Sequence, residues 1–297
     1  MSKRNIALFG ATIVSIIYGV TFTIAKDVMP AYIDAYGFIL LRVSGAMLLF
    51  WGCWLFMPKE KIAINDFPRI IVAAFFGVAF NMLTFFKGLS LTSPISASVI
   101  MVTTPMIVLV LSAIIMKERM KKRMVTGIFL GLIGTGFLIL YGKSIGTATN
   151  ASLGNILVFL NAVSYGFYLI IVKKLMEKYN AFTFVKWIYL FGFLMVLPFG
   201  WSQFETVNWA VVPLSIYWKI GFVVVISTFV TYLLNLLTMK ELKPTTVAVF
   251  IYLQPLFATI FAIGLGKDDL SVVKIISAIL IFLGVYMVTQ KPAKKKE

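Results

Sequence analysis

The sequence has no histidine, a single cysteine and only 11 acidic residues in 297. Each shortage closes a class of function. Without histidine there is no Ser-His-Asp hydrolase, no imidazole metal site and no imidazole proton shuttle. With Cys53 alone, inside an apolar run, there is no intramolecular disulfide framework. Charged residues make up 13% of the chain and hydrophobic residues 61%; a soluble domain is about a quarter charged. Mean hydropathy is +0.98. A chain this apolar cannot cover a water-facing surface, so lipid covers most of it.

Polar or proline-containing breaks divide the apolar sequence into predicted helices at 6–25, 33–56, 68–87, 95–116, 123–141, 152–172, 182–201, 215–238, 245–265 and 271–289. Spans of about 20 residues each would use roughly two thirds of the chain. Lys3 and Arg4 ahead of the first stretch mimic a signal peptide, but no convincing small-residue cleavage site follows. That stretch is read as a retained first helix.

Lys and Arg number 27, for a net charge of +16. Such a balance fits either nucleic-acid binding or cytoplasmic loops. Placement decides between them. With the N-terminus inside, twenty basic residues fall in cytoplasmic segments. Six (Lys26, Lys87, Lys143, Lys219, Lys267 and Lys274) fall opposite, and Arg42 lies within the second helix. The bias sets both termini in the cytoplasm, with residues 291–297 as a basic tail, and no nucleic-acid partner is expected.

The chain also repeats itself. An offset of 150 residues places Pro94 on Pro244, Pro105 on Pro255, Lys117 on Lys267 and Gly134 on Gly284. An offset of 147 places Tyr18-Gly19 on Tyr165-Gly166 and Lys26 on Lys173. The expected units are 6–141 and 152–290, five helices each. Five is odd, so the second copy enters the membrane from the opposite side. The loop after the fourth helix is strongly basic, and its counterpart around Lys267–Lys274 is neutral, as inversion requires.

These residues resemble the EamA-type members of the drug/metabolite transporter superfamily. The first repeat carries Pro94-Ile95-Ser96-Ala97, Thr104-Pro105, Lys117-Glu118-Arg119 and a Gly127-to-Gly134 helix; the second carries Tyr252-Leu253-Gln254-Pro255 and Gly284. The family's acidic residue after the ninth helix is replaced by Asp268 or Asp269. The resemblance implies an all-α integral membrane fold of ten helices in two inverted repeats. It also implies multi-pass residence in the cell (inner) membrane and alternating access around a central cavity. The expected function is secondary transport of small organic solutes such as amino acids or related metabolites. A channel-like permease or a scaffold without transport is the alternative, and no enzyme activity, cofactor or metal is expected. The bilayer and a small-molecule substrate are the expected partners; a homodimer is left open.

Inverted repeats put a substrate site near the midplane where the repeats meet. Polar stripes at helical spacing name the candidates: Asn161, Ser164, Tyr165 and Tyr168; Asn81 and Thr84; Thr228, Thr231 and Asn235. Tyr18 and Thr21 match Tyr165 and Tyr168, and Thr104 matches Gln254, each directly before a proline. Tyr18, Asn81, Asn161, Tyr165, Asn235 and Gln254 are expected to face one cavity. Any of these groups can instead serve as a helix–helix hydrogen bond. Pro105 and Pro255 are expected hinges that free a backbone carbonyl, and Gly127, Gly131 and Gly134 are expected at a close helix contact. Arg42, inside a span, is either functional or snorkelling toward the outer surface. All acids fall in loops or at helix ends. That argues for facilitated diffusion or exchange, or for coupling through Glu118, Asp268 or Lys87.

Overall fold

The computed structural model describes residues 2–29, 31–57, 59–91, 100–117, 120–141, 150–264 and 272–290, and every regular element among them is helical. Helix α1 is Lys3–Val28, α2 is Ala35–Trp54. Helix α3 starts as Phe67–Ala74, passes through a π-helical stretch Phe75–Ala79 and continues as Phe80–Leu91. Helices α4 to α7 are Thr104–Ile115, Lys122–Tyr141, Ala151–Met176 and Ala181–Glu205. Helix α8 is Leu214–Gly221, a π-helical stretch Phe222–Val230, then Thr231–Glu241. Helix α9 is Pro244–Val249, a 3₁₀ turn Phe250–Tyr252, then Leu253–Gly264; α10 is Val272–Thr289.

Most bounds lie within a few residues of the hydropathy reading. The fourth predicted helix differs. Residues 95–99 lie outside the described residues, and the described part breaks at Val102-Thr103, just ahead of Pro105. Proline has no N–H for the ladder and its ring disfavours helix in the residue before it, so the break falls there. Pro94, Glu118, Arg119, Lys143, Lys267, Asp268, Asp269 and the basic tail also lie outside the described residues.

Seven helices among the described residues are long and apolar enough to cross a membrane: Lys3–Thr21, Ala35–Trp54, Ile64–Leu89, Ser152–Met176, Ala181–Glu205, Leu214–Glu241 and Pro244–Phe261. Thr104–Ile115 and Ile275–Thr289 are shorter apolar helices. Large apolar side chains such as Phe9, Leu48, Ile114, Leu194, Phe199 and Phe282 are exposed. On a soluble protein they would aggregate; against lipid they cost nothing.

The packing is duplicated. Helix α1 lies on α8 and α9, and α6 lies on α3 and α4; α2 pairs with α7 and α5 with α10. Exchanging each helix with the one five further along returns the same set of contacts. The two π-helical stretches also overlap at an offset of 150, and an irregular turn precedes each of Pro105 and Pro255.

The paired helices α5 and α10, and likewise α2 and α7, run antiparallel. Gly127 opposes Gly284, while Gly134, two turns on, opposes Ser277. At the start of α5, Arg123 donates to the Gln290 side chain at 2.6 Å and to its carbonyl at 2.8 Å, beyond the end of α10. Arg4, at the start of α1, donates to the Thr289 carbonyl at the end of α10. The α2–α7 pair caps itself reciprocally. Glu60, beyond the end of α2, accepts from Asn180 N at 3.0 Å and Thr183 Oγ1 at 2.6 Å where α7 begins. Gln203, near the end of α7, accepts from Tyr36 N at 2.8 Å and Gly37 N at 3.1 Å where α2 begins. Each acceptor satisfies N–H groups that a helix start leaves open.

Candidate functional site

Ser15 and Tyr18 of α1, Tyr165 of α6, Asn235 of α8 and Gln254 of α9 come together around a small cleft. Ala11, Val14, Val247, Phe250 and Ile251 complete its wall. The space is about 10 Å³, room for one water. Its geometry begins with Pro255. The 3₁₀ turn Phe250–Tyr252 ahead of that proline loosens α9, and the Phe250 carbonyl accepts Ser15 Oγ at 2.9 Å across the α1–α9 contact. The Phe250 carbonyl also accepts the Leu253 N–H of the 3₁₀ turn, and Phe250 lines the cleft.

The cleft's polar groups are poorly occupied within the protein. Among the described residues the Asn235 and Gln254 amides and the Tyr165 hydroxyl have no hydrogen-bond partner, and the Tyr18 hydroxyl faces only that of Thr231. These groups are free to hydrogen-bond to whatever enters the cleft, a solute or water. The lining presents hydroxyl and amide donors and acceptors against apolar walls, a surface suited to recognition.

Asn81 and Asn161 sit elsewhere. Asn161 Nδ2 donates to the Asn81 carbonyl at 2.7 Å, and Asn81 Nδ2 reaches the Asn161 carbonyl at 3.4 Å. This reciprocal clamp joins α3 to α6, and neither residue lines the cleft. Thr84 donates to the Phe80 and Asn81 carbonyls and Thr231 to Ser227, within their own helices, and Thr104 donates to Met101 across the break ahead of Pro105. Thr21 meets Ser227 Oγ at 2.8 Å. Tyr168 is buried against Gly77, its ring tilted 47° to that of Tyr232 with centres 5.5 Å apart. The structure therefore brings Tyr18, Tyr165, Asn235 and Gln254 together and uses the other candidates in packing contacts.

The π-helical stretches decide where those contacts fall. A π turn shifts the hydrogen-bond ladder by one residue and leaves carbonyls open. In α3, Phe76 O accepts Ser164 Oγ at 2.7 Å and Gly77 O accepts Tyr232 Oη at 3.2 Å. In α8, Thr228 Oγ1 donates to Val223 O, five residues back, at 2.6 Å. That hydroxyl in turn accepts Arg42 Nε at 3.2 Å.

Two cations lie in the helical interior. Arg42 is 7% exposed. Lys186, near the start of α7, is buried as well. Its ammonium sits 3.0 Å from the centre of the Trp54 ring and 4.7 Å from that of Trp51, a cation–π cage that replaces water. The available signal was a lysine five residues inside an otherwise apolar stretch.

These features define a polytopic helical membrane protein of two equivalent halves with a polar cleft between them. The EamA-like transporter family matches residues 5–140 and 152–290, and the chain belongs to that family. The uncharacterized transporter YyaM of Bacillus subtilis is 26% identical over 277 residues, 91% of this chain and 89% of that protein. An uncharacterized transporter of Archaeoglobus fulgidus is 24% identical over 289 residues, 97% of this chain and 96% of that one. A solved crystal structure matches 95% of this chain and 96% of its own with a TM-score of 0.76 at 16% identity, which shows a shared fold.

Proposed function

We propose that the chain is a secondary transporter that carries small organic solutes, such as amino acids or related metabolites, across the cell membrane by alternating access. In this reading ten helices span the bilayer as two inverted repeats, and both termini are cytoplasmic. The carrying observation is the cleft. Four side chains with free hydrogen-bonding capacity, from helices of both repeats, converge beside a proline-loosened turn. A site shared by two pseudo-symmetric halves can be opened to either side by rocking one half on the other. Its small volume fits a closed form.

The test is uptake into proteoliposomes of labelled amino acids and metabolites, with and without a pH gradient. Saturable flux for at least one solute is expected, with weak response to the gradient, because no carboxylate lines the cleft. A panel with no saturable flux would sink the reading. Strong acceleration by the gradient would move coupling to helix-end acids. Topology has its own test. Reporters fused after Lys143 and after Glu297 are expected on opposite faces, with the latter cytoplasmic, given the charge bias. Finding both on one face would break the five-plus-five arrangement.

A further inference from the structure

Arg42 is the eighth residue of α2, roughly 10 Å from its start at 1.5 Å per residue. Its side chain does not run to the surface as a snorkelling arginine does. It turns inward. Nε donates to Thr228 Oγ1 of α8 at 3.2 Å, and the guanidinium lies 5.3 Å from the centre of the Phe86 ring of α3. Tyr18 of α1 and Tyr189 of α7 are near enough to interact with it electrostatically. Helices of both repeats thus enclose one cation, which is 7% exposed.

What is missing is a counter-charge. Among the described residues the ion pairs are Arg69–Asp66, Lys178–Asp66 and Lys219–Asp27, and no carboxylate reaches Arg42. One of its five N–H donors is used, leaving the terminal fork without an acceptor. A buried charge in this condition is costly unless something pairs with it. A hydroxyl and a ring face supply part of the compensation. The fork is shaped for a planar, two-oxygen anion.

The cation is also connected to the cleft. On α8, Thr228 holds Arg42, Thr231 faces Tyr18 and Asn235 lines the cleft, at i, i+3 and i+7 on one stripe. Tyr18 stands between the two, facing the cleft on one side and within electrostatic range of Arg42 on the other. The stripe covers about 10 Å of helix, the length of a small solute.

We propose that the Arg42 guanidinium is the anchoring group for a carboxylate on the transported solute, whose remainder lies in the cleft of Tyr165, Asn235 and Gln254 once Tyr18 has swung aside. The inference rests on the transporter reading and names the class of its cargo. A monoanion balances the single guanidinium. A phosphate dianion would leave one charge uncompensated, because no second cation is among the groups found around Arg42.

The experiment uses matched pairs that differ only at the carboxyl group, leucine against leucinamide and isobutyrate against isobutyramide. They are read by thermal shift of the purified full chain in detergent and by competition in proteoliposome flux. The wild type is expected to be stabilised by the acids and not by the amides. Arg42→Gln is expected to lose that preference and to weaken acid binding about 30-fold or more. Arg42→Lys, which keeps the charge but not the fork, should retain part of it. Should Arg42→Gln fail to fold, Thr228→Val keeps the cation and removes its positioning contact; it is expected to weaken acid binding about tenfold. Equal response to acids and amides in the wild type overturns the anchor, as does an acid preference that survives Arg42→Gln. Saturable flux of neutral solutes untouched by Arg42→Gln defeats the anchor and leaves transport standing. Acid-selective stabilisation without flux for any solute supports the anchor and defeats transport.

Discussion

Replacing Gly284 by leucine is expected to force α10 off α5 and lower stability by about 3 kcal/mol or more, the upper range for overpacking a tight core. A Cβ at Gly284 would meet Gly127 O at 2.5 Å, Gly131 N at 2.7 Å and Gly131 Cα at 3.0 Å. All three are backbone atoms of α5, so no rotamer change relieves the clash. The reverse holds too, since a Cβ at Gly127 would meet Gly284 O at 2.8 Å. Small residues matter here because association in a bilayer gains little from burying apolar surface and depends on close van der Waals contact. Gly136, also on α5, is the control. Nothing lies within 4 Å of a Cβ placed there. Gly136→Leu is expected to leave stability within about 0.5 kcal/mol of wild type, as substitutions outside packed contacts do. Thermal unfolding in one detergent, with monodispersity checked, separates the two. Equal transitions for Gly284→Leu and Gly136→Leu would mean that the α5–α10 crossing does not hold the halves together.

Gly284 also shows what was legible in the sequence. Its match to Gly134 at an offset of 150 is a pattern of residue types, and both glycines fall on the α5–α10 contact. The helices were legible because lipid demands long apolar runs with internally paired backbones. The irregular turns ahead of Pro105 and Pro255 were legible because a missing N–H acts locally. The polar stripes identified inward faces but not partners. Asn81 and Asn161 have the composition of a binding pair, yet they close on each other's carbonyls. Which amides pair depends on the azimuth of α3 against α6, and a π turn in α3 alters that azimuth. No residue type in Phe75–Ala79 demands a π turn, so its effect was invisible. The cage around Lys186 was invisible for a related reason. Two of the three tryptophans around it, Trp51 and Trp54, come from α2, more than a hundred residues earlier in the chain.

The same distinction between cleft amides and clamp amides predicts opposite phenotypes. Asn235→Leu and Gln254→Leu are expected to fold normally and to lower transport of a solute carried by the wild type by about tenfold or more each. A pocket built to hydrogen-bond its ligand loses binding when those groups go, each good bond being worth about 0.5–1.5 kcal/mol and more where a polar partner is left stranded. Folding should be spared, because among the described residues neither amide has a partner to lose. Asn161→Leu should do the reverse. It removes the 2.7 Å bond to the Asn81 carbonyl, which keeps its Thr84 Oγ1 donor, and opens the α3–α6 contact. The expected cost is about 1–3 kcal/mol of stability, with the KM of the surviving transporter near that of wild type. The measurements are flux against substrate concentration in proteoliposomes and thermal unfolding in detergent, made on the same preparations. If Asn161→Leu raises KM while Asn235→Leu and Gln254→Leu leave flux unchanged, the binding role passes from the α8–α9 amides to the α3–α6 clamp. The cleft beside Pro255 would then be a packing defect and not a site.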